Sequence, residues 1–168
     1  GPEVAVASTK AFVAQVTALY LIGLHLGSVR GTITDAEARD SVLELQAIPD
    51  KISEVLETSQ AEIAQLAHWM TDTQSVLFLG RNVGYPVALE GALKLKELAY
   101  MHAEGFPAGE LKHGPIALIE QDLPVVVVVP PRSRKVLHDK IVSNIQEIRA
   151  RGARTVVIAE EGDDTVAP

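Results

Sequence analysis

Five consecutive valines, Val125–Val129, stand between Pro124 and the pair Pro130-Pro131, and they restrict the possible folds more than any other feature. β-branched side chains crowd a helix and suit a pleated surface, and the flanking prolines stop the element from extending. A run apolar at every position has no solvent face. It predicts a strand over Pro124–Val129 buried on both sides, as in a parallel sheet covered by helices, and it is too short to span a bilayer. Ser75–Gly80 and Thr155–Ala159 predict two further strands. Helical patterns surround them at Gln60–Met70, from Pro86 to near Met101, and at Ser133–Arg151 with Gly152 as the C-terminal cap. This alternation predicts an α/β fold, a three-layer sandwich with a parallel sheet flanked by helices. In such sheets ligands bind beyond the carboxyl ends of the strands, here from Gly80 onward and from Pro130 onward.

The first 58 residues have a different pattern. A helix over Thr9–Leu26, capped by Ser8, is apolar around most of its circumference and belongs inside a packed assembly. Polar residues interrupt its run Ala11–Gly27, so it is read as not crossing a membrane. Thr34-Asp35 cap a second helix over Ala36–Ala47, and Pro49 starts a third over Asp50–Thr58. Both are amphipathic and form a connector. The opening residues lack the basic stretch and cleavage site of a signal peptide. Both ends look cut, which suggests a piece of a larger protein. A net charge of −7 and an aromatic content of 4% argue against nucleic-acid binding. With no cysteine there is no disulfide, thiolate metal site or cysteine nucleophile, and a reducing cytoplasm fits.

On the helix from Pro86, residues Glu90, Lys94 and Glu97 fall on one stripe at spacings of four and three. Leu89, Leu93, Leu95 and Leu98 fill the other directions, so the helix is expected to be largely buried. The stripe is either an ion-paired surface or one wall of a ligand pocket in which a carboxylate is tuned for proton transfer. Pattern alone leaves both open. An irregular segment, 102–115, then mixes His102, Glu104, Glu110, Lys112 and His113 with two glycines and two prolines. Functional residues often sit in such loops. His113, held before Gly114-Pro115, suits acid–base work near neutral pH, although a lone histidine is more often a surface residue. Glu110 with His113 lacks a second histidine at ligand spacing, so no metal is expected. The loop Gly80-Arg81-Asn82-Val83-Gly84 precedes a helix, but it is neither a dinucleotide fingerprint nor a Walker loop.

Four blocks, Ala7–Phe12, Phe78–Arg81, Ala88–Glu97 and Ala108–Pro115, resemble the isomerase domain of the glucosamine-6-phosphate synthase family in order and spacing. The resemblance implies two sugar-isomerase (SIS) subdomains: the last helix of the first over residues 1–28, a connector over 29–58, and most of the second over 59–168. It implies an amidotransferase that converts fructose 6-phosphate and glutamine to glucosamine 6-phosphate and glutamate, cytoplasmic and dimeric. Ammonia would come from a separate glutaminase domain, with no organic cofactor, membrane or nucleic acid involved. By the same resemblance Glu97 moves a proton between C1 and C2 of the sugar, Lys94 sets its charge state, and His113 opens the sugar ring from the adjacent subunit. Val6, Ser8 and Glu3 would contact sugar. The family's phosphate loop and its Schiff-base lysine match nothing in this sequence, so the chain alone is expected to have little synthase activity. A fructosamine-type deglycase, another phosphosugar isomerase, or a non-catalytic sugar-phosphate sensor would share the fold.

Overall fold

The computed structural model describes residues 4, 6–8 and 10–167. It divides into two compact units, Gly1–Asp72 and Thr73–Pro168. The first is helical: α1 (Lys10–Val29), α2 (Asp35–Gln46), α3 (Ile48–Thr58) and α4 (Gln60–Trp69). The expected start of α1 at Thr9 lies outside the described residues. No residue of α1 is buried in this chain. By length and composition α1 could cross a membrane, with a mean hydropathy of 1.6. The core helix of a soluble protein meets the same criterion. At α2 the expected cap is a full capping box. Thr34 Oγ1 accepts the Glu37 N–H at 3.2 Å, and the Glu37 carboxylate accepts the Thr34 N–H at 2.8 Å. The bonds from the Thr34 N–H and hydroxyl hold the Glu37 carboxyl below its ordinary range.

The second unit is an all-parallel sheet of β1 (Ser75–Gly80), β2 (His102–Pro107), β3 (Pro124–Val128) and β4 (Arg154–Ile158), in the order β2-β1-β3-β4. The central pair sets Leu77 against Val125 and Leu79 against Val127. Val125, Val126 and Val127 are all buried, the two-sided burial that the valine run requires. β2 corrects the expectation of an irregular segment. His-Ala-Glu-Gly-Phe-Pro has neither alternation nor β-branching, but an edge strand needs one partner only, and β1 supplies it with Ser75 opposite His102. Gly105 lets α5 approach closely there, since a Cβ would stand 3.1 Å from the backbone N and Cα of Leu89.

α5 (Gly84–Ala99) packs on the face that carries Phe78, and α6 (Lys135–Arg149) on the face that carries Leu77 and Leu79. Along α6 the buried His138, Ile141, Ile145 and Ile148 recur at spacings of three and four, one stripe of a helix. The three isoleucines join Leu77, Leu79, Val125 and Val127 in the main core. Two 3-10 helices, Ala108–His113 and Pro115–Leu118, carry the chain from β2 towards β3. Ala108 and Leu111 enter the same core. α5 is less buried than its leucines suggested. Its sheet side is made of small residues, Gly84, Ala88 and Ala92, while Leu89, Leu93 and Leu98 are exposed in this chain.

Beyond β4, Asp163 is buried, with one oxygen 2.7 Å from His138 Nε2 and the other accepting the Thr165 hydroxyl at 2.5 Å. The bonds from Thr165 and His138 hold the Asp163 carboxyl below its ordinary value of 3.8. A depressed carboxyl stabilises the fold above that value, and the stabilisation is lost as pH falls through the lower, folded value. Asp163→Asn is therefore expected to lower the urea midpoint at neutral pH, with the gap to wild type closing as the solution is acidified below 3.8. A gap of constant size from neutral to acid pH would contradict this account.

Candidate functional site

The strand-to-helix turn that launches α5 is tight, with Gly84 N–H bonding Arg81 C=O at 3.1 Å and Tyr85 N–H bonding Asn82 C=O at 3.0 Å. Asn82 takes a left-handed conformation with φ 54°. α5 then runs back along the sheet until Tyr100, at φ 55°, ends it. At 1.5 Å per residue, Glu97 lies about 20 Å along the axis from Gly84. The carboxylate stripe therefore does not sit at the carboxyl edge of β1, where the topology had suggested a ligand. It lies along the flank of the covering helix.

The spacing of four and three brings the stripe together. Lys94 Nζ is 2.6 Å from Glu97 Oε2 and 3.5 Å from Glu90 Oε1. The Lys94 side chain is 19% exposed and that of Glu97 32%, so the group is half-buried and open on one side. The hydrogen bond to Glu97, with the fields of Glu97 and Glu90, holds the Lys94 ammonium above its ordinary range. Lys94 is thus a fixed cation that orients two carboxylates. A carboxylate on a rigid helix with one oxygen so anchored keeps the other available to a proton on bound substrate.

His113 is placed elsewhere. Its helix packs into the α6-side core, on the opposite face of the sheet from α5. Among the described residues its hydrogen-bond partner is Glu110, with Nδ1 2.6 Å from Oε2. The structure therefore does not pair His113 with Lys94 or Glu97. Gly114, at φ 140°, separates the two 3-10 helices in a conformation that favours glycine. Val6 and Ser8 lie just before α1 in the first unit, Val6 fully exposed, and Glu3 lies outside the described residues. Among the described residues no group of three or more His, Asp or Glu could hold a metal ion.

Sequence reasoning did not find the ties that hold the His113 segment. Lys112 Nζ lies 2.9 Å from Glu147 Oε1 on α6, and Arg81 Nη2 donates to Asn144 Oδ1 at 3.0 Å. Both cross the chain at long separation and leave no local pattern. The Glu110–His113 pair does carry a local signal, the i,i+3 spacing.

The chain is 72% identical, over its whole length, to a glutamine–fructose-6-phosphate aminotransferase (isomerizing) of Leifsonia xyli, and 69% identical to one of Streptomyces coelicolor. It spans 27% of the length of each of these relatives. Among solved structures it superposes on the C-terminal domain of glucosamine-fructose-6-phosphate aminotransferase from Francisella tularensis with a TM-score of 0.89 and 42% identity. That match covers 96% of this chain and 44% of the other. The family described as SIS domain matches residues 70–168, which takes in the whole parallel sheet and both helices that cover it. A chain with more than half its residues in that match, folded as a parallel α/β sandwich, belongs to the SIS-domain family.

Proposed function

We propose that this chain is part of the isomerase domain of an aminotransferase that makes glucosamine 6-phosphate from fructose 6-phosphate and glutamine. The observation that carries the reading is the half-buried Glu90–Lys94–Glu97 stripe, in a chain alignable from end to end with enzymes of that name. Glu97 takes a proton from C1 of the open-chain sugar and returns it to C2, one carboxylate serving both carbons. Lys94 keeps that carboxylate oriented and contacts sugar oxygens. His113 works at the ring-opening step in the site of a second copy, and its position on the far face from α5 supports a role away from its own Glu97. Val6, Ser8 and Glu3 contact the sugar.

On this reading, residues 1–28 end one SIS subdomain, 29–58 connect, and 59–168 belong to a second. The working protein is a cytoplasmic homodimer supplied with ammonia by a glutaminase domain. Because the chain holds 27% of its relatives' length, the other parts of the site must come from the remainder. Incubated with fructose 6-phosphate and an ammonium salt, the purified chain is expected to form no more glucosamine 6-phosphate than a blank without protein. The full-length protein, supplied with glutamine, is expected to form it readily. Robust product from the chain alone would sink this division of labour.

A further inference from the structure

The 3-10 helix Ala108–His113 presents three rows of side chains, because residues three apart eclipse in that geometry. Ala108 and Leu111 make one row, buried in the core. Gly109 and Lys112 make the second. Lys112 reaches Glu147 at 2.9 Å, and a Cβ on Gly109 would stand 3.5 Å from Arg81 Nη1. Arg81 is itself bonded to Asn144 of α6. With two rows fixed, the third faces outward. It holds Glu110 and His113, whose side chains are 63% and 71% exposed, with Oε2 and Nδ1 2.6 Å apart.

An ionised carboxylate can only accept a hydrogen bond, so the hydrogen in this contact sits on Nδ1. The neutral ring then carries its lone pair on Nε2, the nitrogen left to take up and give a proton. In water a free neutral imidazole prefers the other tautomer, so the carboxylate changes which nitrogen works. An exposed pair of this kind adds little to stability. Its effect lies in the direction and protonation pattern of the ring.

Resting on the reading of His113 as the ring-opening histidine, we propose that Glu110 is its positioning residue, fixing the Nδ1–H tautomer and aiming Nε2 at the sugar. In the step it serves, Nε2 takes the proton of the anomeric hydroxyl at C2 as the C2–O5 bond breaks. The same proton passes to O5, leaving a C2 carbonyl and a 5-hydroxyl. Nothing is oxidised or reduced, and no other reactant is consumed.

The test uses Glu110→Ala and Glu110→Gln. A glutamine amide oxygen still accepts from Nδ1–H, whereas alanine cannot. In the full-length enzyme Glu110→Ala is expected to lower kcat on fructose 6-phosphate about tenfold, with Glu110→Gln restoring most of it and KM unmoved. With 5-deoxyfructose 6-phosphate, which lacks the hydroxyl needed to close the ring, all three proteins should turn over alike. In the 168-residue chain, the ring nitrogen NMR shifts of His113 should report Nδ1–H in wild type and Glu110→Gln, and Nε2–H in Glu110→Ala. An unchanged tautomer in Glu110→Ala overturns the proposal whatever the kinetics. So does an equal loss on both substrates, which marks a merely structural role, or no loss on either. If His113→Ala itself loses nothing on the cyclic sugar, the fault lies in the reading of His113, and the proposal falls with it.

Discussion

Glu97→Gln in the full-length protein is expected to lower isomerase turnover about a thousandfold, in the usual range for removing a positioned general base. KM for fructose 6-phosphate should barely change. Glutamine has the same shape, and its amide oxygen can still accept from Lys94 Nζ, which in the wild type lies 2.6 Å from Glu97 Oε2. What it cannot do is carry a proton between two carbons. Folding should be untouched, because a half-exposed ion pair on a helix surface contributes little. Two measurements check this: the steady-state rate of glucosamine 6-phosphate formation with ammonia, and the exchange of the C1 hydrogen with deuterated solvent. Exchange isolates the proton-transfer step from ring opening and amine transfer. If both continue at wild-type rates, Glu97 is not the base and the role of the stripe must be reassigned.

How far such an outcome could be anticipated from sequence differs from residue to residue. Val125–Val127 and Ser75–Gly80 were legible because a fully buried strand must be apolar on both faces, and nothing else so short is. The Thr34 cap was legible because its partner, Glu37, is three residues away. The stripe Glu90–Lys94–Glu97 was legible for the same reason, since helical spacing converts sequence distance directly into contact. β2 was not. Its strand conformation comes from one neighbour, β1, rather than from its own side chains. The exposure of Leu89, Leu93 and Leu98 was also hidden, because helical periodicity names a face without saying what covers it. The ties Arg81–Asn144 and Lys112–Glu147 depend on chain crossings that no local pattern encodes. Glu110–His113 falls between these cases: the spacing was visible, but whether it marks a pair depends on the 3-10 geometry, which the loop's glycines and prolines disguised.

The other large effect is expected at Gly80, where β1 turns into α5. A Cβ there would lie 2.1 Å from Gly84 O, 2.4 Å from Gly84 C and 2.6 Å from Tyr85 N. All three are backbone atoms of the first helical turn, so no side chain can swing aside, and Gly80→Ala can be accommodated only by lifting α5 off the strand. That movement is opposed at other points. Gly84 packs so closely on β3 that a Cβ built on it would stand 3.2 Å from Val128 Cγ1, and Leu89 lies against Gly105. The loss should exceed the roughly 1–3 kcal/mol typical of overpacking, a large fraction of the total stability of an ordinary domain. Gly23→Ala makes the contrasting case: it meets nothing within 4 Å inside α1, and should stabilise by roughly 0.5–1 kcal/mol through helix propensity. Urea unfolding of the two variants separates these expectations. Gly80→Ala unfolding within about 0.5 kcal/mol of wild type would mean that the turn has slack the geometry does not show. Where enough full-length Gly80→Ala folds to assay, turnover should also fall. Lys94 and Glu97 ride on the helix that this glycine seats, and on the proposed reading a base displaced by an ångström is no longer within reach of both carbons.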